Sequence, residues 1–265
     1  MEPLKVVSTQ FELVDGDIQE NMRRAEALAR EVAENEKNVD LMLFSECCLE
    51  SGMDFSDYEE KLTPAVINEI EQFWRGIAKL TGMYILAGHV GREADGAWRN
   101  YATCFAPDRS IYAQYAKAHL YMQERGFFKP GDEKVVFDLK GYKIGILICA
   151  DLGFPEFSRQ LALAGANVFA VPSCWGYPHD DLWILCNRLR AAENNAYMVS
   201  CNRYGKCGDR FVLGNSMVTN PRGEIIANLG VQPRGYFVAN ILQEEIERER
   251  MGVLWLQWLR PELYQ

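Results

Sequence analysis

Apolar residues in this chain fall into two kinds of run that alternate along the sequence. Short continuous runs predict buried strands, because both faces of such a strand are covered. Longer runs repeat apolar residues every three to four positions, which predicts amphipathic helices. The predicted strands are 4–11, 40–45, 84–90, 101–106, 111–117, 135–139, 142–149, 168–172, 197–202, 215–219, 225–228 and 237–241, and the predicted helices are 18–32, 64–81, 155–164 and 181–195.

Two of these helices carry more detailed predictions. Asp17 followed by Glu20 resembles an N-cap pair, so the first helix is expected to begin after Asp17. In 181–195 a stripe of apolar residues recurs at helical spacing and is expected to face the core. The residues of this stripe are Leu182, Leu185, Leu189 and Ala192. Helices that alternate with strands and hairpins predict a layered α/β protein with mixed sheets.

The composition is that of a folded enzyme-sized protein. With 265 residues, 48% of them apolar and 25% charged, one domain spanning 1–265 is favoured. The net charge of −9 argues against nucleic acid or an anionic membrane as a partner. Apolar runs are too short to cross a bilayer.

The eight cysteines are interpreted as free thiols in a reducing cytoplasm. The N-terminal residues 1–5 lack the features of a signal peptide, and a chain of this size does not need disulfides to fold. No Cys-x-x-Cys pair occurs, so a structural zinc site is not expected. Phosphate-binding and dinucleotide-binding glycine motifs are also missing, and no cofactor is expected.

Candidate chemistry begins at Cys149, which ends the apolar run 142–149 shortly before Pro155 opens a predicted helix. A thiol on such a strand-to-helix turn is expected to be held out of the core, near backbone N–H donors and with a lowered pKa. Glu46 ends another apolar strand, and Lys117 ends a third. Together they supply a nucleophile, a base and a cation for an oxyanion, which are the requirements of acyl transfer.

Three strings make the sequence resemble a known family. They are LFSE at 43–46, YAKAHL at 115–120 with ERGFFKPG at 124–131, and GILICADLGFPE at 145–156. These resemble the signature blocks of the nitrilase superfamily, the carbon–nitrogen hydrolases, and the short segment after Lys117 is similar to the amidase-like branch. Weaker likeness continues through 188–194, 214–216, 220–224 and 260–264, and so covers nearly the whole chain. The resemblance implies a four-layer αββα sandwich with two mixed β-sheets, assembled as a homodimer or larger homo-oligomer.

The resemblance also assigns roles at the site. It implies that Cys149 is the nucleophile, Glu46 the general base, and Lys117 the oxyanion partner, together with the backbone N–H of Ala150. Glu124 matches a further carboxylate that the family places beside the lysine, and whether it is catalytic or positional stays open. The implied reaction is hydrolysis of a small carboxamide to acid and ammonia through a thioester. Hydrolysis of a nitrile or an N-carbamoyl amine by the same site is the alternative, and a catalytically idle scaffold is a third.

Other residues have structural interpretations beside functional ones. Trp175 either forms a wall of the substrate pocket or packs beside the following helix. His119, Glu156 and the pair Arg190 and Glu193 are interpreted as structural. The aromatic tail at about 245–265 either covers the core locally or contacts a second subunit.

Differences from the family pattern lie around the site rather than in it. Ser45 and Met53 stand where relatives often have proline and an aromatic residue. Ala150 stands where they have a large aromatic residue, and Gly153 where they have arginine. The space left by the smaller residue at 150 is expected either to enlarge the pocket or to be filled by Trp175 or Cys47. Loss of the arginine removes one anchor for an acidic substrate.

Overall fold

The computed structural model describes residues 1–52 and 54–263; Met53, Tyr264 and Gln265 lie outside the described residues, and with them the predictions made for Met53 and for the last two residues of the tail. The helices are α1 (Ile18–Asn35), α2 (Tyr58–Lys61), α3 (Pro64–Thr81), α4 (Pro155–Leu163), α5 (Asp180–Asn194) and α6 (Gln243–Gly252). Short 3₁₀ turns span Phe55–Asp57, Met122–Gly126, Cys149–Gly153 and Pro261–Leu263.

The strands occupy most of the predicted positions. They are β1 (Leu4–Phe11), β2 (Leu41–Leu43), β3 (Tyr84–Arg92), β4 (Trp98–Phe105), β5 (Ile111–Ala116), β6 (Val136–Leu139), β7 (Tyr142–Ile146), β8 (Val168–Ser173), β9 (Tyr197–Asn202), β10 (Tyr204–Cys207), β11 (Arg210–Leu213), β12 (Met217–Thr219), β13 (Ile225–Asn228) and β14 (Arg234–Ile241).

Within the described residues these strands form two six-stranded sheets and one two-stranded hairpin. The first sheet has the order β14-β1-β2-β3-β4-β5, and the second has the order β13-β12-β9-β8-β7-β6. Three consecutive strands of each sheet are parallel, namely β1-β2-β3 and β7-β8-β9, and the outer strands are antiparallel. The hairpin pairs β10 with β11. The sheets are therefore mixed, as predicted.

The alternation of side chains along each strand builds the layers. In β1, Val6 belongs to the apolar cluster between the two sheets, whereas its neighbour Val7 packs towards α1 and α3. In β8, Ala170 faces the other sheet and Val171 packs towards α4 and α5. Three apolar layers thus separate four layers of secondary structure, which confirms the αββα sandwich.

The first helix begins as the sequence predicts, but the orientation predicted for α5 is wrong. Asp17 accepts a hydrogen bond from the backbone N–H of Glu20 at 3.0 Å, so it is the N-cap. In α5, Leu182, Leu185 and Leu189 are 45%, 56% and 47% exposed. The buried face is instead a mixed one, formed by Trp183, Cys186, Asn187, Arg190, Ala191 and Asn194. Hydrogen bonds to this face, rather than apolar character, decide the orientation of α5.

The strands that lead to the site end earlier than predicted. β2 stops at Leu43 and β7 at Ile146, so Glu46 and Cys149 both lie in turns beyond the last paired residue. Turn backbone does not alternate its side chains strictly between two faces as a strand does, and it can therefore direct both side chains towards one site at the sheet edge.

Candidate active site

The candidate site lies where several strands end at the same edge of the molecule. Glu46 follows β2, Cys149 follows β7 and Cys174 follows β8, each at the carboxyl end of a parallel strand. Lys117 follows directly after β5. Ligand sites in α/β sheets are favoured outside the carboxyl ends of parallel strands.

A glycine lets the turn that carries Glu46 approach the sheet. A Cβ placed on Gly88 of β3 would lie 2.5 Å from the Cα of Glu46 and 2.7 Å from the carbonyl oxygen of Ser45. The backbone N–H of Gly88 donates to that carbonyl, and Cys48 donates back to the carbonyl of Gly88. Only a residue without a side chain fits this contact, so Gly88 helps to fix the position of Glu46.

Lys117 links the two candidate carboxylates. Its Nζ lies 2.6 Å from Oε1 of Glu46, and 2.7 and 3.0 Å from the two carboxylate oxygens of Glu124. The Lys117 and Glu46 side chains are only 1% and 5% exposed, and Glu124 is 16% exposed. Buried charges are stable only when they are paired and hydrogen-bonded, which is the arrangement observed here.

Two further groups fix these carboxylates. The amide nitrogen of Asn100 in β4 donates to Oε1 of Glu46 at 2.8 Å and to Oε1 of Glu124 at 3.2 Å. The backbone N–H of Cys174 donates to the other oxygen of Glu46 at 2.9 Å. Glu46 is therefore held by neighbours from three different strand ends, and little rotation is left to it.

Burial disfavours the charged forms of Glu46, Lys117 and Glu124, and the pairing of the lysine with the carboxylates opposes this effect. Burial alone would raise the pKa of Glu46, but the Lys117 ammonium and the Asn100 amide lower it below its usual value. Burial would lower the pKa of Lys117, but the two carboxylates raise it well above its usual value. Burial raises the pKa of Glu124 despite its contact with Lys117, because Glu46 is a second negative charge nearby. Glu46 and Lys117 are thus kept charged.

The turn that carries Cys149 is strained and tightly held. Cys149 has a φ of +46°, in the left-handed region that residues with a side chain rarely adopt. The fully buried carboxylate of Asp151 accepts from the backbone N–H groups of Ile148 and His119, both at 2.9 Å. It also accepts from the hydroxyl of Tyr115 at 2.8 Å. Asp151 thereby connects the strained turn to the segment that carries Lys117.

The pKa predicted for Cys149 is wrong in direction. Burial raises the pKa of this thiol well above its usual value, and the negative charge of Glu46 raises it further, more than Lys117 lowers it. The position before a helix does not compensate for this. Glu46 and Cys149 line the same cavity and each shifts the pKa of the other, so a proton acceptor stands near the thiol. The resting side chain is therefore a thiol next to a carboxylate, and it needs that base to become a nucleophile.

These groups line one side of a cavity of about 560 Å³. We call the buried side the inner wall; it consists of Glu46, Lys117, Glu124, Cys149 and Cys174. We call the exposed edge the rim; it consists of Asp54, Tyr121, Met122, Gln123, Gly208, Asp209 and Arg210. The remaining lining residues are Cys47, Ser51, Gly52, Phe55, Tyr58, Phe128 and Cys207. A cavity of this size holds a small molecule.

The sequence as a whole places this site in a family. The family model for carbon-nitrogen hydrolases matches residues 5–251. The chain belongs to this family. A nitrilase of Pyrococcus abyssi is 33% identical over 211 residues, which are 78% of each chain. A 2-oxoglutaramate amidase of Bacillus subtilis is 29% identical over 257 residues, which are 96% of this chain and 97% of that protein.

A solved structure agrees in fold. The crystal structure of a carbon-nitrogen hydrolase from Helicobacter pylori is similar with a TM-score of 0.91 at 22% identity, and the match covers 99% of this chain and 97% of that one. The resemblance to the nitrilase superfamily is therefore confirmed, and so is the thiol-dependent hydrolase class that it implies. The expectation of one domain over 1–265 stays a prediction.

This carbon-nitrogen hydrolase has two residues that are expected to contact a substrate. Ala150 lies beside Cys149, whereas Trp175 lies outside the described lining of the cavity. Ala150 directly follows Cys149 in the 3₁₀ turn Cys149–Gly153 and is half-buried. Trp175 is not among the described residues that line the cavity. Its indole N–H donates to the carbonyl of His179 at 2.9 Å, and its ring packs 5.7 Å from that of Trp183. Trp175 therefore lies behind Cys174, and its role in binding stays a prediction.

The residues interpreted as structural have structural contacts. His119 is bonded through Nδ1 to Asp151 at 2.8 Å and stacks on Phe154. Arg190 donates to Glu193 at 3.0 Å and to the carbonyl of Leu152 at 3.0 Å, which ties α5 to the nucleophile turn. Glu156 is exposed in the first turn of α4.

Sequence reasoning did not find four residues that shape the site: Asn100, Asp151, Cys174 and Arg210. Asp151 did leave a signal, since it is a polar residue within an otherwise apolar run, whereas Asn100 follows Arg99 at the start of such a run. Cys174 acts through its backbone N–H, which no side-chain pattern can reveal. Arg210 lies in a hairpin, and nothing in its local sequence indicates that it lines the cavity.

The remaining predictions concern thiols, metals and membranes. All eight cysteines are free. Within residues 1–52 and 54–263 there is no cluster of three or more His, Cys, Asp or Glu side chains suited to a metal ion. A search of the same residues also finds no helix with the length and apolar character needed to cross a bilayer.

Proposed function

We propose that this protein hydrolyses a small carboxamide to a carboxylic acid and ammonia, through a thioester on Cys149. The observation that carries the proposal is the buried Lys117 ammonium, which bridges Glu46 and Glu124 beside the Cys149 thiol. One base, one nucleophile and one fixed cation then face the same cavity. The names of the Bacillus relative and the family support amide hydrolysis.

In the first half of the reaction, the Cys149 sulfur attacks the amide carbon while Glu46 takes the thiol proton. A base in contact with the thiol is required, because the raised pKa keeps Cys149 protonated at neutral pH. The negative charge that forms on the carbonyl oxygen is stabilised by the Lys117 ammonium and the backbone N–H of Ala150. Glu46 then gives its proton to the leaving nitrogen, and ammonia departs.

In the second half, Glu46 accepts a proton from a water molecule that attacks the thioester. The same cation and N–H stabilise the second oxyanion, and the acid leaves as Cys149 regains its proton. Glu124 remains bound to Lys117 through both oxygens and to Asn100 throughout these steps. We assign it a positioning role, because both its oxygens are already occupied and its pKa is raised.

The rim supports a substrate with a carboxylate at the end opposite its amide. Arg210 lies at the rim and forms no ion pair with a carboxylate among the described residues. Its guanidinium lies 5.7 Å from the centre of the Tyr121 ring, which leaves its N–H groups available. Asp54 and Asp209 are the opposing charges at the rim, and because both are exposed they weaken the attraction of a single carboxylate to Arg210 only slightly. The substrate named for the Bacillus relative has this form.

The test is ammonia release from three matched compounds: a dicarboxylic acid monoamide, the neutral amide of equal length, and the corresponding nitrile. We expect the monoamide to be hydrolysed fastest, and Cys149→Ala to abolish release. In Arg210→Gln we expect the KM for the monoamide to rise about tenfold or more while the neutral amide is unaffected, since a hydrogen bond to a charged group contributes about 1.5–3 kcal/mol. Lys206→Gln, an exposed cation of the same hairpin outside the cavity, is the control.

Each alternative has its own outcome. Faster release from the nitrile or from an N-carbamoyl amine would replace the amide as substrate class without changing the machinery. An equal loss for charged and neutral amides in Arg210→Gln would contradict the carboxylate contact. No release from any compound, with Cys149 no more reactive towards alkylation than the other thiols, would favour the idle scaffold.

We further propose that the protein forms a homodimer through the exposed leucine stripe of α5. Leu182, Leu185 and Leu189 lie on one helical face and are about half exposed. The tail adds Trp255 and Trp258, which are 50% and 65% exposed. Exposed large apolar side chains that share one face, as the three leucines do, are typical of association surfaces. Light scattering should show a dimer, and Leu185→Glu should shift it to a monomer; an unchanged dimer would place the interface elsewhere.

A further inference from the structure

Two cysteines that the hydrolysis does not use lie against each other in the wall of the cavity. The sulfur atoms of Cys174 and Cys207 are 3.5 Å apart, and both residues line the cavity and are half-buried. Cys174 directly follows β8, and Cys207 ends the first strand of the β10–β11 hairpin. The two thiols are 33 positions apart in the chain and meet only through the fold.

The pair is asymmetric in a way that suits thiol exchange. The Cys174 thiol donates its hydrogen to the sulfur of Cys207, and the hydroxyl of Ser51 lies 3.9 Å from the same sulfur. The hydrogen bond from Cys174 lowers the pKa of Cys207 to about 6, and the positive charges of Arg203 and Arg210 contribute. That same hydrogen bond raises the pKa of Cys174 well above its usual value. One sulfur therefore carries negative charge at neutral pH while its neighbour keeps the proton.

We propose that Cys174 and Cys207 are a site of reversible oxidation, where exchange with a small disulfide such as oxidised glutathione joins them in a disulfide that narrows the active-site cavity. The two sulfurs already lie 3.5 Å apart, so only a small shift of the chain is needed to join them. Both residues line the cavity, which gives a small disulfide access to them.

The exchange proceeds in two balanced steps. The Cys207 thiolate attacks one sulfur of the small disulfide, which forms a mixed disulfide and releases one thiolate. That thiolate takes the proton of Cys174, and the Cys174 sulfur then attacks the sulfur of Cys207. This forms the Cys174–Cys207 bond and releases the second small thiolate. The two protein thiols lose two electrons, and the small disulfide gains them and leaves as two thiols.

The bond should act on the cavity through the hairpin. A disulfide holds its sulfurs about 2.05 Å apart, so the two atoms must approach by about 1.5 Å from their present 3.5 Å. β8 is an interior strand of a six-stranded sheet, whereas the hairpin is a two-stranded ribbon at the surface. The hairpin is therefore expected to move, and with it the rim residues Gly208 to Arg210. The backbone N–H of Cys174 donates to Glu46, so the Cys174–Cys207 disulfide should also restrict motion at this hydrogen bond.

The first measurement maps the disulfide, and it does not depend on the proposed reaction. Cys149→Ala protein, which removes the competing thiol of the inner wall, is incubated with oxidised glutathione, blocked with an alkylating agent and digested. Peptide mass spectrometry should find Cys174 joined to Cys207, and dithiothreitol should reverse it. The additional changes Cys174→Ser or Cys207→Ser should prevent it. Cys47→Ser alters another cavity thiol, whose pKa is raised by burial, and the Cys174–Cys207 disulfide should still form in this variant.

The second measurement tests the effect on the cavity. Wild-type protein treated with oxidised glutathione should release ammonia several-fold more slowly and recover with dithiothreitol, whereas Cys207→Ser should lose less activity under the same treatment. A stable glutathione adduct on Cys207, or a bond from either thiol to another cysteine, would overturn the assigned pair. A mapped Cys174–Cys207 bond with unchanged ammonia release would overturn the narrowing of the cavity.

Discussion

The inner wall and the rim of the cavity are built on opposite principles. The inner wall consists of side chains at strand ends that are buried and bonded to one another, with Lys117 between Glu46 and Glu124. The rim consists of exposed residues on short turns and a hairpin, and Arg210 carries its charge there without a carboxylate partner among the described residues. Reacting groups thus stand on the rigid part of the fold, and the groups that would select a substrate stand on the part most easily changed.

The largest effect is expected at the inner wall. Glu46→Gln should lower kcat by about 10²–10⁴-fold, because the protonated Cys149 thiol then has no base. The variant keeps an oxygen for Lys117, so far-ultraviolet circular dichroism should show the fold intact. Steady-state ammonia release is the measurement. A fall of less than tenfold would mean that another group takes the thiol proton.

A second expected effect concerns the support of the inner wall. Asp151→Asn should destabilise the protein by about 3 kcal/mol, because an amide nitrogen replaces an oxygen that accepts hydrogen bonds from buried groups. Urea unfolding measures the change, and kcat should fall with it as the Cys149 turn loosens. Glu156→Gln alters an exposed carboxylate at the start of the following helix and should leave the free energy of unfolding unchanged. Equal effects in both variants would contradict the role of Asp151.

A pH-dependent effect arises at Glu50, which is buried in the same turn as Glu46 but forms no ion pair with a cation among residues 1–52 and 54–263. It accepts from the backbone N–H of Val90 at 2.9 Å, and its other oxygen has no hydrogen-bond partner among these residues. Burial raises the pKa of Glu50 from 4.5 to about 7.

Since the folded state of this protein holds the Glu50 proton more tightly than the unfolded state does, stability should be lost as pH rises from about 4.5 to about 7. At most about 3 kcal/mol is at stake, from 1.36 kcal/mol per pKa unit. Glu50→Gln should remove this component of the pH dependence, as urea titrations at pH 5 and pH 8 would show. If the variant and the wild type lose stability in parallel between these pH values, Glu50 is not responsible.

The smallest effect is expected at the two aspartates of the rim, Asp54 and Asp209. Asp54→Asn and Asp209→Asn should each lower the KM for a dicarboxylic acid monoamide by about 1.5- to 5-fold, because exposed charges contribute about 0.2–1 kcal/mol. kcat should stay the same, and added salt should reduce the difference. Neutral amides serve as the control substrate. A change in kcat would mean that the rim takes part in the chemistry, and the contrast between the two regions would fail.

The inner wall is also the part of the site that the sequence predicts better than the rim. Glu46, Lys117 and Cys149 are found because each ends an apolar run, and the order of such runs also predicts the layers. Asn100 and Asp151 contribute by holding other side chains, and their partners are remote in sequence, so only the fold reveals them. The pKa of Cys149 was predicted in the wrong direction, because local sequence shows the helix that follows but not the carboxylate of Glu46 or the depth of burial.

The two faces of α5 give a consequence for the assembled enzyme. One face carries the exposed leucines, and the other holds the carbonyl of Leu152 through Arg190. A single helix, about 10 Å across, therefore separates the proposed subunit contact from the turn of the nucleophile. If subunits associate there, the specific activity should depend on protein concentration: dilution below the dimer dissociation constant would free the leucines, loosen the helix and slow every remaining monomer.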